Sequence, residues 1–171
     1  MALYETLQYT VIHDEGQIQI REYDNILLAS TKTPINMYQD SGFNNVFKYI
    51  SGNNKSNTKI SMTTPVVTYE SEEEIITGFY VPSKYNKETV PEPASSNVFI
   101  NEITKSLFAV IQFRGTWSKK NYDKHDQLLQ DYISKNHYHI TSVRYIFRYQ
   151  PPFVPGVFRR NEIAYQVTSN S

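Results

Sequence analysis

The 171-residue chain contains no cysteine. That excludes a disulfide framework, a thiolate metal site, a nucleophilic thiol and a thioether-linked haem. A surplus of one charge sign is missing too, because 17 Lys and Arg balance 17 Asp and Glu. Without extra cations to displace counterions from a phosphate backbone, nucleic-acid binding is disfavoured. A polybasic membrane anchor is disfavoured on the same ground. No apolar run approaches the ~18 residues that a membrane span requires. Residues 1–10 hold Tyr, Glu, Thr and Gln where a secretory signal would need an apolar stretch. The expectation is a cytoplasmic protein without a membrane span.

Catalytic signatures are absent as well: no Walker loop, no G-x-G-x-x-G, no H-E-x-x-H and no G-x-S-x-G. Four histidines occur, at His13, His125, His137 and His139. His137 and His139 share a strand face two residues apart, but no third ligand accompanies them in sequence. They read as exposed residues at a helix-to-strand turn, and His125 as a packed neutral imidazole on a helix. Neither a catalytic residue nor a metal ligand is assigned.

Aromatic residues are plentiful, with 14 Tyr and 9 Phe. A half-buried tyrosine leaves its hydroxyl at the edge of an apolar surface, which suits sheets and ligand clefts. Period-2 alternation dominates the chain, as in 17–23 and 59–66, and predicts strands. Further strands are expected at 11–13, 26–31, 74–81, 98–103, 143–149 and 163–167. The stretch Leu107–Phe113 is apolar on nearly both faces and predicts a central strand. Glu72-Glu73-Glu74 reads as a solvated hairpin edge.

Two segments switch to period 3.6. The first covers about 39–51, with Phe43, Val46, Phe47 and Ile50 in one stripe and Asp40 or Ser41 as cap. The second covers about 118–136, capped by Ser118, with Leu128, Leu129, Tyr132 and Ile133 inward. One-sided helices must lie on a sheet, so the class is α+β. Tyr49-Ile50-Ser51-Gly52-Asn53 recurs as Tyr132-Ile133-Ser134-Lys135-Asn136, and the flanking strands recur at the same distance of about 80 residues. The repeat predicts a duplicated ββαββ-like unit, in halves of about 9–82 and 97–168, with a proline-bearing connection between them. Two such units form a barrel-like sheet with two helices and a pseudo-two-fold relation. A groove beside the helices suits an apolar ligand.

The blocks Tyr49-Ile50-x-Gly52-x-Asn54 and Lys59-Ile60-x-Met62-Thr63-x-Pro65-Val66 carry a more specific signal. With Phe113-Arg114-Gly115, Pro151-Pro152-Phe153 and Arg159-Arg160-Asn161-Glu162, they resemble the SOUL/haem-binding protein family in order and over nearly the whole chain. The resemblance makes residues 1–171 one domain. It implies a distorted antiparallel or mixed barrel of about eight strands with two flanking helices, similar to bacterial effector-binding domains. It further implies non-covalent, non-catalytic binding of haem or another tetrapyrrole in a groove by the first helix. Phe43 and Phe47 would supply apolar contact, Lys48 and Arg21 would pair the propionates, Met62 could offer a thioether, and Tyr49 could offer a phenolate to ferric haem. Some members carry a histidine, proposed as axial ligand, where this chain has Glu22 between Arg21 and Tyr23. A carboxylate is a poor mimic of imidazole toward haem iron, so weak or absent axial ligation is expected. Two alternatives stand beside this reading: an effector-binding module for another small molecule, and an enzyme assisting release of haem iron. Oligomeric state and the natural ligand are left open.

Overall fold

A strand that is apolar on both faces needs cover on both sides, and Leu107–Phe113 lies inside such a strand. In the computed structural model, which describes residues 4–34 and 40–169, the first elements are β1 (Glu5–Thr6), β2 (Thr10–Glu15), β3 (Ile18–Tyr23), β4 (Ile26–Pro34) and α1 (Asp40–Ile50). Next come β5 (Thr63–Thr64), β6 (Val66–Ser71), β7 (Glu74–Tyr80), β8 (Phe99–Ile103) and β9 (Ser106–Arg114). Then follow α2 (Lys119–Lys135), β10 (Tyr138–Ile140), β11 (Tyr145–Arg148) and β12 (Arg160–Ser169). The class is α+β, as expected.

These elements gather into two compact units. One comprises residues 4–7 and 25–104. Its antiparallel sheet runs β6-β7-β4-β8, with β1 and β5 paired in parallel beside it. Glu72, with φ 40°, turns the β6–β7 hairpin, so the acidic run is indeed its tip. Helix α1 lays Val46, Tyr49 and Ile50 onto Ala29, Phe79 and Val81. Gln39, expected to open this helix, lies outside the described residues. The expected strand 59–66 is shorter than its alternation suggests. Residues 59–62 make no ladder, because Ile60 donates its N–H to the last helical carbonyl, that of Ile50 (2.8 Å), and buries its side chain under α1.

The other unit comprises residues 8–24 and 105–169. Its antiparallel sheet runs β2-β3-β9-β12-β11, with β10 also on β12. Helix α2 packs Tyr122, Leu129 and Ile133 against Ile20, Ala109, Ile111, Ile163 and Val167. Ser118 caps it, accepting a hydrogen bond from the Asn121 N–H at 3.1 Å. The buried stripe is 122, 125, 129 and 133, whereas Leu128 is 45% exposed.

The two units have matching strand order around β4 and β9, yet they do not coincide with halves at 9–82 and 97–168. Strand β3 lies two residues before β4 but pairs with β9, and β8 just precedes β9 but pairs with β4. Each unit is completed by the strand that leads into the other's central strand.

Candidate functional site

Helix α1 carries Phe43, Phe47, Lys48 and Tyr49, four of the six residues expected at the site from the sequence. Its inward stripe leaves Asn44, Phe47 and Lys48 facing out. Phe43 is half-buried and meets Phe79 edge-on at 5.4 Å. Phe47 is 48% exposed, and its ring stacks nearly parallel on Phe43, 6.2 Å away at 13°. Lys48, in the last helical turn, makes no ion pair among the described residues. The outer face of α1 therefore presents the exposed Phe47 ring, stacked on half-buried Phe43, and a lysine with no ion pair among the described residues. That combination suits a flat apolar molecule carrying an anionic edge.

Tyr49 and Met62 lie behind the helix rather than on this face. Tyr49 is buried and donates its hydroxyl to the Pro91 carbonyl. Burial, with a smaller push from Tyr85, raises its phenol to about 12. Met62 is half-buried against the α1 core. Together with Ala29, Ile60, Phe79 and Val81 they line a cleft of about 10 Å³. Small-molecule sites occupy roughly 300–1,000 Å³, so the cleft does not admit a porphyrin. A groove of about 480 Å³ lies in the same unit between 87–95 and β8. Its lining holds Glu88, Glu92 and Lys87, of which Glu92 pairs with Lys55 and Lys87 with Glu102, so it offers no surplus of cations to a dianionic ligand.

Arg21 lies in the second unit, inside its densest electrostatic network. Nη1 and Nη2 donate to the two carboxylate oxygens of fully buried Glu162 at 2.9 and 2.8 Å. Nη1 also donates to the Tyr23 hydroxyl, Nε donates to Gln19, and the guanidinium covers the Tyr9 ring at 3.9 Å. Glu162 further accepts from the Tyr149 hydroxyl and from Arg160 Nη2, both at 2.9 Å. Every strong group in the network has a partner inside it, so it is built as scaffold. The sequence does not reveal Arg21 as the partner of Glu162. Arg21 occupies the polar phase of a half-buried strand, and Glu162 is 141 positions away.

The histidines are dispersed. His137 and His139 are exposed. His125 stacks on Phe113 at 4.0 Å and donates Nδ1–H to the Asn121 carbonyl. His13 faces Glu15. Glu22 pairs with Lys105 at 3.5 Å. No group of three or more His, Asp or Glu among the described residues could hold a metal ion. No helix among them is long and apolar enough to cross a membrane.

Antiparallel sheets each bearing one helix define the fold as an α+β domain. The C-terminal domain of EcmrR has this fold: it superposes with a TM-score of 0.68 at 12% identity, covering 90% of this chain and 98% of that one. The family model for SOUL heme-binding protein matches residues 4–166, and the chain belongs to that family. It is similar to human heme-binding protein 2, at 33% identity over 64% of this chain and 58% of the relative. It is also similar to Xenopus tropicalis heme-binding protein 1, at 26% identity over 84% of this chain and 80% of the relative. The match to the human relative thus spans little more than half its length.

Proposed function

We propose that the protein binds haem or a related tetrapyrrole non-covalently on the outer face of α1, without converting it. The observation that carries this reading is the Phe43–Phe47 stack on the helix that also exposes Lys48, which has no ion pair among the described residues, together with family relatives named as heme-binding proteins. The porphyrin plane lies against Phe47, and Lys48 pairs a propionate. Arg21, engaged by Glu162, does not contribute a cation. Met62 and Tyr49 support the helix from behind. The unit that carries α1 contains neither histidine nor cysteine, so apolar contact and charge pairing hold the ring, with weak or absent axial ligation.

The test is a titration of the protein with haemin and with metal-free protoporphyrin. Comparable affinities for the two are expected, with a broad high-spin Soret band for haemin. Phe47→Ala and Lys48→Glu each weaken binding by roughly tenfold, the scale of one lost contact of ~1.4 kcal/mol. A sharp low-spin spectrum abolished by changing His137 or His139 would overturn the assignment.

A further inference from the structure

The connection between β11 and β12 reads Gln150-Pro151-Pro152-Phe153-Val154-Pro155-Gly156-Val157-Phe158-Arg159. It projects three large apolar side chains from the second unit: Phe153 is 86% exposed, Val157 68% and Phe158 63%. The loop is not slack. Arg159 donates Nε to the Val154 carbonyl (2.8 Å) and Nη2 to the Pro152 carbonyl (2.6 Å). Arg114 donates to the Phe158 carbonyl at 3.2 Å, and a short 3₁₀ turn spans Gly156–Phe158. Gly156 sits so close to Thr116 that an added Cβ would fall 2.9 Å from its methyl. Three loop carbonyls are thus held by arginines while the three hydrophobic side chains stay exposed.

The surroundings are cationic. Arg148 and Arg159 flank the Trp117 ring at 5.0 and 4.2 Å. Arg114, Lys119 and Lys120 are exposed on the adjoining segment. Residues 106–122 and 144–161 contain no Asp or Glu. The nearest carboxylates in sequence are already engaged: Asp123 by Lys119, Asp126 by Arg144, and Glu162 by Arg21 and Arg160. With Lys119 balanced by Asp123, Arg114, Lys120, Arg148 and Arg159, which make no ion pair among the described residues, leave an excess of positive charge on the segments around the apolar tip.

We infer that this loop docks the protein on the surface of an anionic lipid bilayer. Phe153, Val157 and Phe158 enter the headgroup–acyl boundary, and the arginine and lysine collar meets the lipid phosphates and carboxylates. An apolar protein partner would not call for a collar of one sign, whereas an acidic membrane does. The even overall charge disfavours a polybasic tract and leaves room for a local patch. This inference is independent of tetrapyrrole binding.

The test is flotation of the full chain with vesicles of phosphatidylcholine alone and of equimolar phosphatidylcholine and phosphatidylserine. Binding is expected on the anionic vesicles, weak on the neutral ones, and falling with added salt as the charges are screened. Phe153→Ser with Phe158→Ser should reduce it by roughly tenfold or more, with an unchanged thermal unfolding curve because both rings are exposed. Lys120→Glu should reduce it less and shrink the salt dependence. Three outcomes overturn the proposal: no binding to the anionic vesicles, binding that the double serine variant retains, or self-association through this loop without vesicle binding.

Discussion

A carboxylate with no exposure to water survives only if its partners replace the lost hydration. Burial alone would push the Glu162 carboxyl up, but the hydrogen bonds and charges of Arg21 and Arg160 outweigh it and hold it below the usual glutamate range. A depressed folded value means that Glu162 adds stability above its unfolded value of about 4.3, and that this is lost as pH falls through the folded value. Chemical denaturation between pH 7 and pH 3 should therefore show stability falling on acidification, with a smaller fall in Glu162→Gln. At pH 7, Arg21→Met should cost about 3–5 kcal/mol, because it leaves a charge buried without its main partner. The double variant Arg21→Met with Glu162→Gln should recover part of that loss. Equal stability of Arg21→Met and the native protein would show that Glu162 finds another partner. Such a pair is invisible to sequence periodicity, which marks Arg21 as polar but cannot say that both faces of its strand are covered.

At the scale of elements, helix existence was legible and helix facing only partly so. Both period-3.6 segments are helices, and Ser118 caps α2 as its residue type suggests. Within α2 the apolar residues Leu128 and Leu129 are adjacent, and adjacent residues project about 100° apart. The sheet under α2 selects one of them: Leu129 is fully buried and Leu128 is 45% exposed. Leu129→Ala should cost about 2–5 kcal/mol and Leu128→Ala less than about 1 kcal/mol, read as shifts of the urea midpoint at constant slope. The same logic separates neighbours on α1. Val46 is wholly buried, and Phe47, in the period-3.6 stripe by sequence, turns its ring outward. That outward ring is what supports the proposed site on the outer face of α1, in preference to the narrow cleft behind it. Phe47→Ala should accordingly cost only about 1 kcal/mol in stability, roughly half the burial value of a phenylalanine side chain, while its effect on tetrapyrrole affinity is larger.

For the molecule as a whole, the two units share a strand order around β4 and β9, but the partition of strands between units was not legible. Alternation tells a strand which face is apolar; it does not tell the strand which neighbour to pair with. Ile18 and Ile20 would satisfy either sheet, and only the three-dimensional pairing assigns β3 to β9 and β8 to β4. This exchange has a measurable consequence. Cooperative opening follows packed units and not chain neighbourhood. The amides of β3 should exchange with deuterium at rates that track β9 and β12, although only two residues separate β3 from β4. Those of β8 should track β4 and β7. Introducing Glu162→Gln, which weakens the unit built on β3, β9 and β12, should lower protection in those three strands together and leave β4, β7 and β8 less affected. Residue-resolved native-state exchange on the full chain decides it: protection in β3 that stays with β4 when Glu162 is changed would mean that the exchanged strand opens with the first half of the chain, and the two units would not be the units of stability.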